Sequence, residues 1–242
     1  MTASDCRVVE LRRYALHPKA RETLIQLFDR ELIEPQEASG MQVLGQFRDL
    51  DDPDSFVWLR GFSDMPTRKR ALEDFYGGSV WREHRTAANA TMIAADNVLL
   101  LRPLVGLEVG DEVRPAPKRN GSRPGLLAVT IYPVADSASN EFAELFTSEL
   151  EPLLRQADIS VLATYATEHA PNTFPALPVR EDVEVFVWMS LFADERDHAR
   201  RSASLEESAS WRDRVSQSLS GRPDGKEEVL RLTPTGRSLI HS

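Results

Sequence analysis

The residues best suited to chemistry lie on two predicted strands in the first half of this 242-residue chain. In the first strand Glu10, Arg12 and Tyr14 occupy alternate positions, so their side chains project from one face of a sheet, while Val9 and Leu11 project from the other. Arg60 lies on a later strand. An arginine can bind or polarise an oxyanion, and a carboxylate or phenol can move a proton. We therefore predict that these four residues line a polar, catalytic pocket.

A histidine and several aromatic residues are further candidates. His84 follows Trp81 by three positions, so both side chains can share one face of a helix. Since histidine is the usual proton shuttle near neutral pH, we predict that His84 is catalytic. The alternative is a histidine at the surface that packs on Trp81. The residues predicted to line the substrate pocket are Trp58, Phe62, Tyr76 and Trp81. Their alternative role is to build the hydrophobic core.

Several other kinds of site are disfavoured. The five histidines show no metal-binding spacing, and Asp194, four residues before His198, is better explained as a helix N-cap, so we predict no metal site. Phosphate-binding glycine loops and the serine-hydrolase GxSxG motif do not occur. We expect no cofactor, although a single histidine would suffice to ligate haem. Cys6 is the only cysteine and is predicted to be inert.

The composition is that of an ordinary globular protein. With 29 basic and 38 acidic residues the net charge is −9, which argues against nucleic acid or an anionic membrane as a partner. The chain has no apolar run long enough to span a membrane and no signal-peptide pattern at its start, so we expect a cytoplasmic location. The scarcity of lysine among the basic residues is typical of a GC-rich bacterial source.

An internal repeat determines the predicted architecture. The segment FVWLRGFSD at 56–64 recurs as FVWMSLFAD at 186–194, and each is followed at the same distance by a Trp-Arg pair. The segments LFDREL at 27–32 and LFTSEL at 145–150 repeat with a shorter offset. The difference indicates an insertion, which we place in the proline-rich stretch 168–182 as an enlarged loop.

Each half shows the order β-α-β-β-α-β, the ferredoxin-like unit. In the first half the predicted strands are 8–14, 41–47, 56–62 and 98–101, with helices at 18–34 and after Asp64. In the second half they are 127–132, 159–165, 183–192 and 229–232, with helices at 141–154 and 194–219. We predict an α+β fold with a first domain at 7–103, a linker at 104–125 and a divergent second domain at 126–234. The two antiparallel sheets would pack into one pseudo-symmetric barrel.

This architecture gives the charged residues a second interpretation. Glu10 would pair with one of the arginines inside the barrel and hold the two sheets in register. The second half has Ala128, Thr130 and Ser190 at the positions of Glu10, Arg12 and Arg60, so the charges exist in one half only.

Several segments in the first half together resemble a known family. VVELRRY, GMQVLGQF, FVWLRGFSDM, FYGGSVW-x-x-H and DNVLLLRP are similar to the NIPSNAP family of the dimeric α+β barrel superfamily, over about residues 7–103. The second half is similar in outline, so the chain resembles a tandem member in which a dimer has been fused. The resemblance implies the fold. It leaves the reaction open, because relatives include cofactor-free monooxygenases of aromatic polyketides, isomerases, haem-binding enzymes and mitochondrial scaffolds.

The leading prediction is a small-molecule enzyme that uses proton transfer and arginine-assisted oxyanion stabilisation on a planar, oxygenated or carbonyl-containing metabolite. Isomerisation, cyclisation and cofactor-independent oxygenation all suit this chemistry. The alternative is a non-catalytic scaffold or ligand-binding protein. A barrel filled with side chains would favour the scaffold, and an open cavity that reaches His84 and Arg60 would favour the enzyme. We expect an intramolecular pseudo-dimer, with further homo-oligomerisation left open.

Overall fold

The duplicated sequence folds into two copies of the same β-α-β-β-α-β unit. The computed structural model describes residues 2–108, 113–118, 121–135, 139–219 and 227–242. The strands are β1 Val8–Leu16, β2 Gln42–Asp49, β3 Ser55–Phe62, β4 Met92–Val105, β5 Leu126–Pro133, β6 Val161–Thr167, β7 Val185–Phe192 and β8 Glu228–Pro234. The α-helices are α1 Arg21–Leu27, α2 Ile33–Ala38, α3 Met65–Gly77, α4 Ser79–Asn89, α5 Ser139–Leu145, α6 Glu151–Gln156, α7 Glu195–Glu207 and α8 Ala209–Leu219.

The strands close into a single barrel in the order β1-β3-β2-β8-β5-β7-β6-β4, and β4 pairs back onto β1. The pairs β2–β8 and β4–β6 join the two halves, and both are antiparallel. The predicted α+β fold, with two ferredoxin-like units that form a pseudo-symmetric barrel, is confirmed.

Both halves interrupt their first helix with a π-helical segment at the equivalent position. One segment is Phe28–Leu32, between α1 and α2, and the other is Phe146–Leu150, between α5 and α6. The phenylalanine that opens each segment packs on the repeated tryptophan, with ring centroids 4.8 Å apart for Phe28 and Trp58. For Phe146 and Trp188 the distance is 5.8 Å. The duplication therefore extends to side-chain packing.

The interior of the barrel is filled with side chains. Val9 and Leu11 of β1 point into it and join a buried apolar cluster drawn from all eight strands. This cluster includes Leu44, Val57, Leu99, Leu127, Tyr165, Met189 and Leu232.

Glu10 and Arg12 lie on the opposite face of β1, between the sheet and the helices of the first half. Their neighbour on that face, Tyr14, packs in the cluster that contains Phe28 and Trp58. The expectation that Glu10 forms its ion pair inside the barrel is therefore wrong in its location. The alternation of β1 identifies two faces, but only the tertiary packing decides which of them the helices cover. The packed interior is the arrangement expected of a scaffold, whereas a site beneath the helices would lie outside it.

Strand β4 is longer than the predicted 98–101, because it serves both sheets. Its first part pairs with β1 from Met92 to Leu101, and its last part pairs with β6 from Leu101 to Val105. The residues of β4 before Val98 are exposed or half-buried, so they lack the burial that residues 98–101 share. The strand also extends into the first two residues of the predicted linker.

The rest of the predicted linker is irregular where the structure describes it. Residues 106–108, 113–118 and 121–125 contain no strand or helix, apart from a bridge between Ser122 and Thr235. The other linker residues, 109–112 and 119–120, lie outside the described residues.

The repeated aspartates cap the second helix of each half. Asp64 accepts a hydrogen bond from the backbone N–H of Thr67 at 2.6 Å, and Asp194 accepts one from Asp197 at 2.8 Å. The prediction of Asp194 as an N-cap is confirmed.

None of the helices in the described ranges is long and apolar enough to cross a membrane.

Candidate functional site

A single buried carboxylate binds three arginines beneath the helices of the first half. Glu10 contacts Nη1 of Arg12, Nε of Arg60 and Nε of Arg68, each at 2.7 Å. All four side chains are completely buried, at 0% exposure. We refer to these four residues as the Glu10 cluster.

The strand register and one helix position the members of this cluster. Glu10 and Arg60 are direct partners across the β1–β3 ladder, which places their side chains side by side. Arg12 lies two residues further along the same face of β1. Arg68 comes from α3, where it shares a buried face with Leu72 and Phe75 at helical spacing.

The cluster keeps Glu10 ionised. Burial alone would raise the pKa of its carboxyl, but Arg60, Arg12 and Arg68 hold that pKa far below its usual range. Burial lowers the pKa of Arg68, and the neighbouring arginines add to this effect while Glu10 opposes it. With three guanidiniums and one carboxylate, the Glu10 cluster therefore has an excess of positive charge in a buried site from which water is excluded.

Two tyrosines extend the cluster. Tyr14 accepts a hydrogen bond from Nε of Arg12 at 3.1 Å, and Nη1 of Arg60 lies 3.5 Å from the hydroxyl of Tyr76. Burial of its hydroxyl raises the pKa of Tyr76, so this group stays protonated and can donate a hydrogen bond. The guanidinium of Arg60 also stacks over the ring of Trp58, 5.0 Å from its centre.

A small cavity with aromatic walls adjoins these groups. Its volume is about 30 Å³, and its lining includes Tyr14, Phe28, Trp58, Tyr76 and Trp81. This space has room for roughly one or two water molecules. A planar ligand can enter only if some of the covering side chains move.

The enlarged loop of the second half covers this site. Asn172 Oδ1 accepts a hydrogen bond from Nη1 of Arg68 at 3.0 Å, and Thr173 Oγ1 lies 3.4 Å from the same nitrogen. Phe174 stacks on Tyr76, with ring centroids 5.9 Å apart and planes tilted by 27°. A larger cavity of about 380 Å³ at the base of this loop is lined by acidic, basic and apolar residues, and no residue of the Glu10 cluster belongs to its lining.

The structure brings most of the predicted site residues together. Glu10, Arg12, Tyr14 and Arg60 form one contact network, and of these four residues Tyr14 alone lines the cavity. The predicted lining residues Trp58, Tyr76 and Trp81 face the cavity, and Phe62 lies beneath Arg60 with its ring centre 5.6 Å away.

His84 lies apart from this network. Its Nε2 is 3.7 Å from Glu31, and among the described residues no hydrogen bond or ion pair joins it to the cluster. Its catalytic role stays a prediction.

Reasoning from the sequence missed Arg68, Gln36 and Asn172. Gln36 Oε1 is 3.4 Å from Nη1 of Arg60, and it comes from α2. A signal for Arg68 was present, because it precedes Leu72 and Phe75 on the apolar face of its helix. No local pattern brings Asn172, from the other half of the chain, to the site.

The second half lacks the cluster at every position. Ala128, Thr130, Ser190 and His198 stand where the first half has Glu10, Arg12, Arg60 and Arg68. Ser190 instead donates a hydrogen bond to the backbone oxygen of Ser160 at 2.8 Å.

Within the described ranges, no group of three or more histidine, cysteine or acidic side chains is arranged to hold a metal ion.

A closed eight-stranded barrel of two ferredoxin-like units, with its helices outside, is the dimeric α+β barrel fold, contained here in one chain. Residues 9–105, within the first half of the chain, match the family model described as NIPSNAP.

Solved structures share the whole two-unit fold at low sequence identity. A "putative monooxygenase" from Lactobacillus acidophilus NCFM is 10% identical with a TM-score of 0.56, covering 97% of this chain and 99% of its own. A "putative monooxygenase" from Fusobacterium nucleatum is 10% identical with a TM-score of 0.59, covering 94% and 92%. An anthrone oxidase-like protein is 12% identical with a TM-score of 0.58, covering 100% and 98%. No curated protein matches the sequence.

Proposed function

We propose that the first half of the chain binds a small, planar, oxygenated molecule beneath its helices and catalyses proton transfer on it. The observation that carries this proposal is an aromatic-walled cavity lined by Tyr14 and Tyr76, whose hydroxyl groups contact the buried Arg12 and Arg60. Few convergent polar groups in an apolar cavity are typical of a small-molecule site. The names of the structural neighbours support a reaction of the monooxygenase type.

We propose different roles for the polar side chains. Glu10 is a poor base, because three arginines favour its charged form, so it positions the guanidiniums. Arg60 and the protonated Tyr76 stabilise an oxyanion that develops on the substrate. Tyr14 exchanges a proton with the substrate, because Arg12 donates to its oxygen and leaves its own hydrogen available for another partner.

Removal of a proton beside a carbonyl is the step shared by isomerisation, cyclisation and cofactor-independent oxygenation. The substrate becomes an enolate or phenolate, whose negative charge faces the excess positive charge of the cluster. In the oxygenation of an anthrone, O₂ would then receive electrons from this anion to give an anthraquinone and water. We propose proton removal as the step that the protein itself catalyses.

The test uses exchange of carbon-bound hydrogen with solvent deuterium. Anthrone and a panel of planar ketones and phenols are incubated in D₂O without oxygen, and exchange is followed by proton NMR. Wild-type protein should accelerate the exchange above the buffer rate. Arg60→Ser and Tyr14→Phe should reduce the acceleration by roughly a hundredfold or more. Ser190→Ala, at the position of the second half that matches Arg60, serves as the control and should behave as wild type.

The non-catalytic alternative, a scaffold or ligand-binding protein, has two observations in its favour. The interior of the barrel is filled with side chains, as expected of a scaffold. The cavity of about 30 Å³ is too small for a metabolite unless the covering loop moves. If exchange in the presence of wild-type protein equals that in buffer across the panel, the scaffold interpretation is favoured and the enzymatic proposal fails.

A further inference from the structure

The Glu10 cluster contains more positive charge than its own carboxylate neutralises. Three buried guanidiniums face one carboxylate, and among the described residues no second carboxylate lies within ion-pair distance of them. Burying a charge without a partner is strongly unfavourable. A negatively charged ligand would relieve this imbalance.

The unsatisfied donors are concentrated on two of the three arginines. Nη2 of Arg60 and Nη2 of Arg68 are buried and find no hydrogen-bond partner among the described residues. Their Nε atoms bind the two different oxygens of Glu10, so the arginines flank this carboxylate. Arg12, in contrast, engages Tyr14, Glu10 and the backbone oxygen of Ala95 with its three nitrogens.

Folding does not require this arrangement. The second half forms the same β-α-β-β-α-β unit with Ala128, Thr130, Ser190 and His198 at the matching positions. Comparison of the two halves therefore shows that the unit can form its part of the barrel without a buried cationic cluster between sheet and helices. A binding role explains why the first half has one.

We infer that Arg60 and Arg68 form a carboxylate-binding subsite, and that the substrate is a planar aromatic or conjugated carboxylic acid. The inference rests on the proposed function, because it places the acid group in the same site. One carboxylate oxygen would accept from Nη2 of Arg60 and the other from Nη2 of Arg68, which leaves Nη1 of Arg60, beside Tyr76, for the oxyanion. Such charge-assisted hydrogen bonds are strong. Its attached ring would lie among Trp58, Tyr76 and Trp81, which wall the adjoining cavity.

The loop of the second half already places two uncharged oxygen atoms against Arg68. The oxygens of Asn172 and Thr173 accept hydrogen bonds from Nη1 of Arg68, as a substrate oxygen would. Phe174 and Leu177 of the same loop pack on the aromatic cluster of the first half. The loop therefore covers the acid end of the subsite as well as its aromatic end.

The test compares two ligands of the same shape, one with a carboxylate and the other with a neutral amide that keeps one of the two acceptor oxygens. Binding of 2-naphthoate and of the neutral 2-naphthamide to wild-type protein is measured by calorimetry at neutral pH, without turnover. Naphthoate should bind at least roughly tenfold more tightly, the effect of one charge-assisted hydrogen bond. Equal affinities, or no binding of either ligand, would overturn the inference.

Two substitutions locate the preference. Arg68→His installs the residue of the second half and should bring the two affinities to within about threefold of each other. His198→Ala is the matched control in the second half and should retain the preference. If Arg68→His keeps the full preference for naphthoate, the assignment of Arg68 is wrong. Should this variant unfold, the comparison of the two ligands on wild-type protein still decides the ligand class.

Inorganic phosphate tests the other anion that guanidiniums bind well. Binding of phosphate without any preference for naphthoate would overturn the carboxylate class. The two proposals fail separately. If the protein prefers naphthoate but accelerates deuterium exchange in no ketone or phenol, the carboxylate subsite is supported and the enzymatic proposal fails. If the protein accelerates deuterium exchange but does not prefer naphthoate, the enzymatic proposal is supported and the carboxylate subsite fails.

Discussion

Asn172 and Arg68 are 104 positions apart in the sequence, and the side chain of Asn172 accepts a hydrogen bond from that of Arg68 at 3.0 Å. Asn172 belongs to the loop inserted in the second half, whereas Arg68 belongs to the buried cluster of the first half. The site is thus completed by both copies of the duplicated unit, although only one copy carries the charges. This division of roles gives the second half a purpose beyond closing the barrel.

The stacking of Phe174 on Tyr76 predicts how the site is covered. Phe174→Ala should expose the end of α3 and the start of α4, because it removes the ring that lies over Tyr76. Hydrogen–deuterium exchange of a peptide that contains Tyr76 and Trp81 should become faster. Pro175→Ala, an exposed neighbour in the same loop, is the control. Unchanged exchange in Phe174→Ala would show that the loop does not close the site.

The three contacts of Glu10 predict a large effect of Glu10→Gln on stability. The substitution leaves three buried guanidiniums without a negative partner, which should lower the free energy of unfolding by about 3–5 kcal/mol. The measurement is urea denaturation at neutral pH. Glu228→Gln, which breaks the partly exposed ion pair with Arg13, should cost less than about 1 kcal/mol. Similar losses in both variants would contradict the account of the cluster.

A second buried carboxyl, that of Asp29, predicts a dependence of stability on pH. Burial raises the pKa of Asp29 to about 6, despite the opposing effect of Arg237, and its Oδ1 has no hydrogen-bond partner among the described residues. A carboxyl with a raised folded pKa binds its proton more tightly in the folded state. Its stabilising contribution is therefore complete below about pH 4 and is lost as the pH rises through 6.

Asp29→Asn should remove this dependence. Between about pH 4 and pH 7 the free energy of unfolding of wild-type protein should fall relative to that of the variant by on the order of 2 kcal/mol. Urea denaturation at several pH values measures the difference. Asp74→Asn, at an exposed position on α3, is the control and should follow wild type. Parallel curves for wild type and Asp29→Asn would show that Asp29 is not desolvated.

The repeat made most of the fold predictable. The matched segments that contain Trp58 and Trp188 set the order of elements in both halves, and the alternation of β1 placed Glu10, Arg12 and Tyr14 on one face. These patterns reflect periodicities of the backbone, so they can be recognised in the sequence without knowledge of the tertiary structure.

The parts that the sequence did not predict depend on tertiary packing. Alternation cannot say which face of β1 the helices cover, so the location of Glu10 was wrong while its pairing with arginine was correct. Arg68 joins the cluster because α3 turns its apolar face to the sheet, and a long charged residue on a helix is normally exposed. Asn172 reaches the site only because the barrel brings the two halves together.

The most direct test of the central claim, a single ligand site in the first half, is hydrogen–deuterium exchange with and without 2-naphthoate. The helices α3 and α7 occupy equivalent places in the two halves, so each serves as the reference for the other. We predict that the ligand protects α3 and the loop at residues 168–182 and leaves the exchange of α7 unchanged. Protection of α7, or equal protection of both helices, would contradict the claim.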